Sequence, residues 1–275
     1  MSATPSSSGR IGAAFARARK EGRIALVPYV SAGDPDLAAT RAIVGALGRA
    51  GADVVEIGVP FSDPIADGPV NQRAAERALR RGVTLRSTLH LVSELRRDAA
   101  PPLVLFTYYN PIHRMGLREF SESARAAGLD GVLVTDLPPE EAVDLRAVLE
   151  PAGIDLIFLL SPTSTPERIA LVARQGRGFV YFISRTGVTG VRDSLPADLE
   201  AQVRRVREAC DLPVAVGFGI SRPEQVRTVA AFADGVVVGS ALVGLIEEHA
   251  AAPDLPARVE AFCRGLLPGG TGGRR

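Results

Sequence analysis

Short, unbroken apolar runs recur along the chain, and between them lie longer stretches in which apolar residues return every three or four positions. Unbroken runs are what parallel strands covered on both faces require, while the longer period is that of an amphipathic helix. Strands are predicted at 24–30, 54–57, 103–107, 132–134, 156–160, 179–183, 214–216 and 236–238, and helices at 37–49, 87–97, 117–127, 140–149, 166–175, 199–210 and 222–231. Pro139, Pro166 and Pro223 stand where helices should begin, and Gly51, Gly128 and Gly153 stand just past helix ends. Eight strand-then-helix units with no break in composition predict one closed α/β barrel, a (β/α)8 fold spanning 10–267. An open doubly wound sheet is the rival, but no G-x-G-x-x-G follows the first strand. Extra helices are expected before the first strand (11–20) and after the eighth (241–250 and 257–267). The ends, 1–9 and the glycine-rich 268–275, are expected to be disordered.

Composition narrows the chemistry. The 275 residues would also fit two small domains, but barrels of about 250 residues are common as single units. A net charge of +1 gives no electrostatic case for nucleic acid or an anionic membrane as partner. Every basic residue except Lys20 is arginine, and Lys20 lies before the first strand, so a Walker loop and a Schiff-base lysine are both disfavoured. Cys210 and Cys263 lie in helical segments without metal-ligand spacing, and His90, His113 and His249 are scattered, so no metal site is expected. No apolar run approaches the roughly 18 residues of a membrane span, and the Ser-rich start lacks a signal-peptide core, so a soluble cytoplasmic protein is expected.

In such a barrel the working face lies at the strand C-termini. Glu56 sits near the end of the second strand, on the same side as Val54 and opposite Val55 and Ile57. Facing the interior without a cation, it would be held partly protonated and suited to general acid/base work; the alternative is pairing with a neighbouring arginine. The loop Pro60-Phe61-Ser62-Asp63-Pro64-Ile65-Ala66-Asp67-Gly68-Pro69 is stiffened by three prolines. Asp63 and Asp67 each read either as site carboxylates or as turn and cap residues, and Phe61 as folded onto the barrel or in contact with a partner. Glycines follow three consecutive strands, at 187–190, at Gly217 and Gly219, and at Gly239 before Ser240. They suit a phosphate held by backbone amides, though tight turns alone would explain any one of them. The polar segment 184–194 reads as a lid or as a plain connection.

Val55-Glu56-Ile57-Gly58-Val59-Pro60-Phe61-Ser62-Asp63-Pro64-Ile65-Ala66-Asp67-Gly68-Pro69 resembles the signature segment of the tryptophan synthase α chain. Pro28-Tyr29-Val30-Ser31-Ala32-Gly33-Asp34-Pro35, Ser184-Arg185-Thr186-Gly187-Val188-Thr189-Gly190 and Gly217-Phe218-Gly219-Ile220-Ser221 support it, and the similarity runs over 10–267. The resemblance implies retro-aldol cleavage of indole-3-glycerol phosphate to indole and glyceraldehyde 3-phosphate. Glu56 would be the general acid/base and Asp67 the acceptor for the indole N–H. Tyr29, Tyr181 and Phe218 would line the substrate site, and Gly190, Gly219, Gly239 and Ser240 would contact the phosphate. It further implies an α2β2 assembly in which Pro60, Phe61, Ser62 and Asp63 face a β chain that receives the indole. Pyridoxal phosphate belongs to that partner, and no cofactor is expected in this chain. Tyr29 stands where relatives often carry phenylalanine, Thr107-Tyr108-Tyr109-Asn110 is more polar than the resemblance leads one to expect, and Gly244 takes the place of an occasional lysine. Rival readings are another phosphate-binding barrel such as an isomerase or a prenyl-glyceryl phosphate synthase, a lyase working alone, and a weakly catalytic regulatory subunit.

Overall fold

The computed structural model describes residues 9–183, 195–217 and 219–267. The chain begins with α1 (Arg10–Lys20), then β1 (Ala25–Ser31), α2 (Leu37–Arg49), β2 (Val55–Gly58), α3 (Pro69–Arg80), α4 (Leu85–Arg97) and β3 (Leu103–Thr107). The middle holds α5 (Tyr109–Met115), α6 (Leu117–Ala127), β4 (Gly131–Val134), α7 (Val143–Leu149), β5 (Asp155–Leu160) and α8 (Pro166–Gln175). It closes with β6 (Val180–Ile183), α9 (Leu199–Ala209), β7 (Val214–Gly217), α10 (Pro223–Ala230), β8 (Gly235–Val238), α11 (Ser240–Glu248) and α12 (Leu255–Leu266). The eight strands pair in sequence order, all parallel, and β8 returns to β1 to close the barrel.

Two apolar cores follow from the alternation of side chains along each strand. Outward residues such as Val55, Ile57 and Leu105 pack against the helices, whereas inward residues such as Val27, Val54, Val104 and Leu133 fill the barrel. Ile11, Ala14, Phe15 and Ala18 of α1 join the interior core, so the extra N-terminal helix plugs the end away from the strand C-termini. Gly9, assigned by sequence to the disordered terminus, is the N-cap of α1.

Several helix boundaries depart from expectation: α4 begins at Leu85 rather than 87, α12 at Leu255 rather than 257, and α3 is not among the predicted helices. The helix predicted from residue 140 begins at Val143, because Glu141 and Ala142 donate to Pro138 and Pro139 in tight turns first. The seven-residue α5 carries too short a pattern to be predicted. Cys210 and Cys263 are buried free thiols. Among the described residues no helix is long and apolar enough to cross a membrane.

Candidate active site

Because Val55 and Ile57 face the helices and Val54 the barrel, Glu56 points inward near the top of β2. It lies in register with Tyr29 on β1 and Val104 on β3. The residue is 1% exposed, and among the described residues neither carboxylate oxygen has a hydrogen-bond partner. The arginine-paired alternative is therefore not found there. Burial alone pushes its pKa up to about 8, so near neutral pH the group is largely a carboxylic acid. Tyr29 and Tyr181 line the same cleft, and both phenols are raised by burial and by the nearby carboxylates of Glu56 and Asp67. They stay protonated. Tyr29 also packs edge-on against Phe106, with ring centroids 5.2 Å apart.

Asp67 enters the cleft from the loop after β2. Turns returning Ile65 N–H to Asp63 O (2.8 Å) and Asp67 N–H to Pro64 O (3.0 Å) shape that loop. Gly68, not Asp67, is the N-cap of α3, so the capping reading of Asp67 does not hold and its side chain is free to serve the cleft. Asp67 is buried, which raises its pKa, while donors on Tyr108 and Asn71 oppose the shift. The Tyr108 hydroxyl donates to Asp67 Oδ2 at 2.9 Å and accepts from the Ala66 N–H at 3.0 Å. Phe61 stacks on that ring with centroids 5.0 Å apart and is half-buried, so it folds onto the barrel. Of the other residues expected to face a partner, Pro60 is buried, whereas Ser62 and Asp63 are exposed and joined by a 2.6 Å hydrogen bond from Ser62 Oγ.

Across the cleft, Gly219, Gly239 and Ser240 come together from the ends of β7 and β8. Gly219 has φ of 77°, a conformation that side chains with a Cβ rarely adopt. Gly239 is the N-cap of α11, so the unsatisfied amides of the first turn begin at the cleft. An arginine clamp ties α11 to α3, the helix that follows the Asp67 loop. Arg77 of α3 forks onto buried Asp34 (2.8 and 2.8 Å) and reaches Glu247 of α11 at 2.6 Å. Arg73 adds a second fork to Glu247 at 2.8 and 2.7 Å, and the two arginines hold that carboxyl down at about 2.

The resulting cleft encloses about 610 Å³, counting the space open to solvent. Its lining brings Tyr29, Glu56, Asp67, Tyr181, Gly219, Gly239 and Ser240 together, as expected from the sequence. Gly190, Phe218 and the 184–194 segment lie outside the described residues. Sequence reasoning missed Asn71, Phe106, Thr135 and Leu159 in the lining, and the role of Tyr108 behind it. Phe106 and Leu159 were recoverable as inward positions near strand ends. Tyr108 was not, since only the folded chain brings it to Asp67, and Asn71, four residues after Asp67, is placed in the cleft only by the packing of α3.

The family model described as tryptophan synthase alpha chain matches residues 15–266. The alpha chain of Geobacter sp. (strain M21) is 53% identical over 263 residues, covering 94% of this chain and 98% of that protein. This chain belongs to the tryptophan synthase alpha chain family. Among solved structures, tryptophan synthase subunit alpha from Legionella pneumophila superposes with a TM-score of 0.86 at 38% identity, covering 94% of this chain and 97% of that one. A structure of the tryptophan synthase α2β2 complex from Pyrococcus furiosus matches with a TM-score of 0.82 at 41% identity, covering 88% and 97%. The alpha-chain fold of these relatives is the closed eight-stranded barrel described above.

Proposed function

We propose that this chain cleaves indole-3-glycerol phosphate to indole and glyceraldehyde 3-phosphate in this cleft, as the α subunit of an α2β2 assembly whose β chain takes up the indole. Membership of the family makes it an enzyme of tryptophan biosynthesis, a lyase in the α-subunit role. The observation that carries the assignment of the chemistry is Glu56, an inward carboxyl left protonated by burial, in the same cleft as a second carboxyl that is supplied with donors.

Cleavage needs a proton on indole C3, removal of the proton from the hydroxyl on the attached carbon, and a counter-charge for the ring nitrogen. Glu56 holds its proton below about pH 8 and delivers it to C3. Positive charge then develops at the ring nitrogen, whose N–H donates to Asp67. Donors on Tyr108 and Asn71 favour the ionised form of that carboxylate. Glu56, now an anion, takes the hydroxyl proton. The oxygen pair becomes the carbonyl, the C3–carbon bond pair returns to the ring, and indole leaves with the proton it received. Glu56 ends as it began, so one carboxyl serves as acid and then base. No lysine and no cofactor enter the step.

The phosphate is assigned to Gly219, Gly239 and Ser240, where backbone amides at the start of α11 and its dipole favour an anion. The β chain is assigned to the exposed Ser62–Asp63 segment, next to Phe61. Phe61 stacks on Tyr108, whose hydroxyl donates to Asp67, so a single side chain links this segment to the Asp67 carboxylate. Indole release from indole-3-glycerol phosphate, assayed with and without β chain, tests both parts. Release stimulated by the β chain is expected. Release that the β chain does not alter would remove the partner, and no release even in its presence would remove the activity.

A further inference from the structure

Asn71 is a polar residue of the cleft to which the reaction above assigns no direct contact with the substrate. It sits in the first turn of α3, is 9% exposed and lines the cleft with Glu56, Asp67 and Ser240. Its amide is within hydrogen-bonding reach of the Asp67 carboxylate. A carboxylate only accepts, so the NH2 must face it and the carbonyl Oδ1 must turn away. That Oδ1 is buried and, among the described residues, has no hydrogen-bond partner. A buried amide oxygen without a donor costs stability, and such an atom in a cleft wall is explained by a ligand that supplies the donor.

The place of Asn71 selects which donor. Asp67 precedes it by one helical turn and is assigned to the ring N–H. The helix that carries Asn71 packs along α11, whose first residue, Ser240, is assigned to the phosphate. Asn71 therefore stands beside the part of the ligand that links ring to phosphate, and in a glycerol phosphate that part carries hydroxyls. On the same helix Ala74 joins a buried cluster with Val243 and Tyr29, in which the Tyr29 phenol is the one polar side-chain group.

We propose that Asn71 is a specificity-determining residue, whose Oδ1 accepts a hydrogen bond from a glycerol hydroxyl of the substrate while its amide NH2 faces Asp67. The proposal rests on the assignment of indole-3-glycerol phosphate above. It distinguishes this site from one that recognises only the ring and the phosphate.

The test compares two ligands, indole-3-glycerol phosphate and an indolyl-alkyl phosphate of the same length without hydroxyls. Both keep the ring N–H and the phosphate, so damage passed through Asp67 or the fold weakens both alike. Binding to the full chain with its β partner is measured for the parent, Asn71→Leu and Asn71→Ala, with folding followed by circular dichroism. In both variants the preference for the hydroxylated ligand is expected to fall by about tenfold, the scale of one lost hydrogen bond. The alanine variant gives the same reading if the leucine variant does not fold. Equal losses for the two ligands, or an unchanged preference, would overturn the proposal. A parent that binds and cleaves no indole-3-glycerol phosphate would instead overturn the assignment on which it rests.

Discussion

The hydroxyl of Tyr108 donates to Oδ2 of Asp67 at 2.9 Å, joining residues 41 positions apart in the chain. Tyr108 stands at the end of β3 as the N-cap of α5, while Asp67 hangs from the loop after β2. The bond opposes the upward shift that burial imposes on Asp67. It favours the charged carboxylate, the form that the proposed reaction needs beside the ring nitrogen.

Tyr108→Phe keeps the ring that Phe61 stacks on and removes only the hydroxyl. With that donor gone, the pKa of Asp67 moves further up, so the acid limb of the kcat/KM profile shifts to higher pH. On the acid limb, below the Asp67 pKa of parent and variant alike, the loss is about tenfold, from one hydrogen bond of ~1.4 kcal/mol, and it narrows as pH rises through that pKa. A pH–rate series checks this, and an acid limb that does not move would separate Tyr108 from Asp67.

The arginine clamp gives a prediction about the scaffold. Arg77→Met leaves Asp34 buried, its side chain 2% exposed, without its bidentate partner. Breaking a buried pair in this way costs about 3 kcal/mol. Because the clamp also ties α3 to α11, KM should rise more than kcat falls, reporting a loosened phosphate end. Urea unfolding and steady-state kinetics measure the two effects; a variant as stable as the parent would show that the clamp does not hold these helices.

Much of the fold is legible in the sequence because the strands are parallel and covered on both faces, which writes each as an apolar run. Glu56 is legible for the same reason: a single acid in an inward position of such a run has few bland explanations. Asp67 was not decided by its own neighbourhood, since Gly68-Pro69 after it opens a helix just as a capped one would. The structure separates the readings by giving the cap to Gly68. Tyr108 stayed hidden because its function is a long-range contact, and Asn71, four residues after Asp67, because its place in the cleft depends on how α3 packs. The polarity of Thr107-Tyr108-Tyr109-Asn110 was visible, but its purpose lies in a loop that sequence distance conceals.

Glu56 also predicts how stability depends on pH. Its pKa is 4.5 in the unfolded chain and about 8 when folded, so between these values the native state keeps a proton that the unfolded state releases. Stability contributed at this position therefore falls as pH rises through that window, by about 1.4 kcal/mol per pH unit. Glu56→Gln removes the titration. Its stability relative to the parent should grow from near pH 5 to near pH 8 and then level off, as read from denaturant midpoints. A difference that stays constant over this range would mean that Glu56 is not held protonated by burial.

In the proposed mechanism one buried carboxyl, Glu56, both protonates the ring and deprotonates the substrate hydroxyl. Indole release by Glu56→Gln, measured with saturating indole-3-glycerol phosphate and β chain present, tests it most directly. Glutamine keeps the shape of the side chain and cannot exchange the proton, so kcat should fall by about a thousandfold or more while ligand affinity stays within about threefold of the parent. Turnover within tenfold of the parent would contradict the account and move the acid/base role away from Glu56.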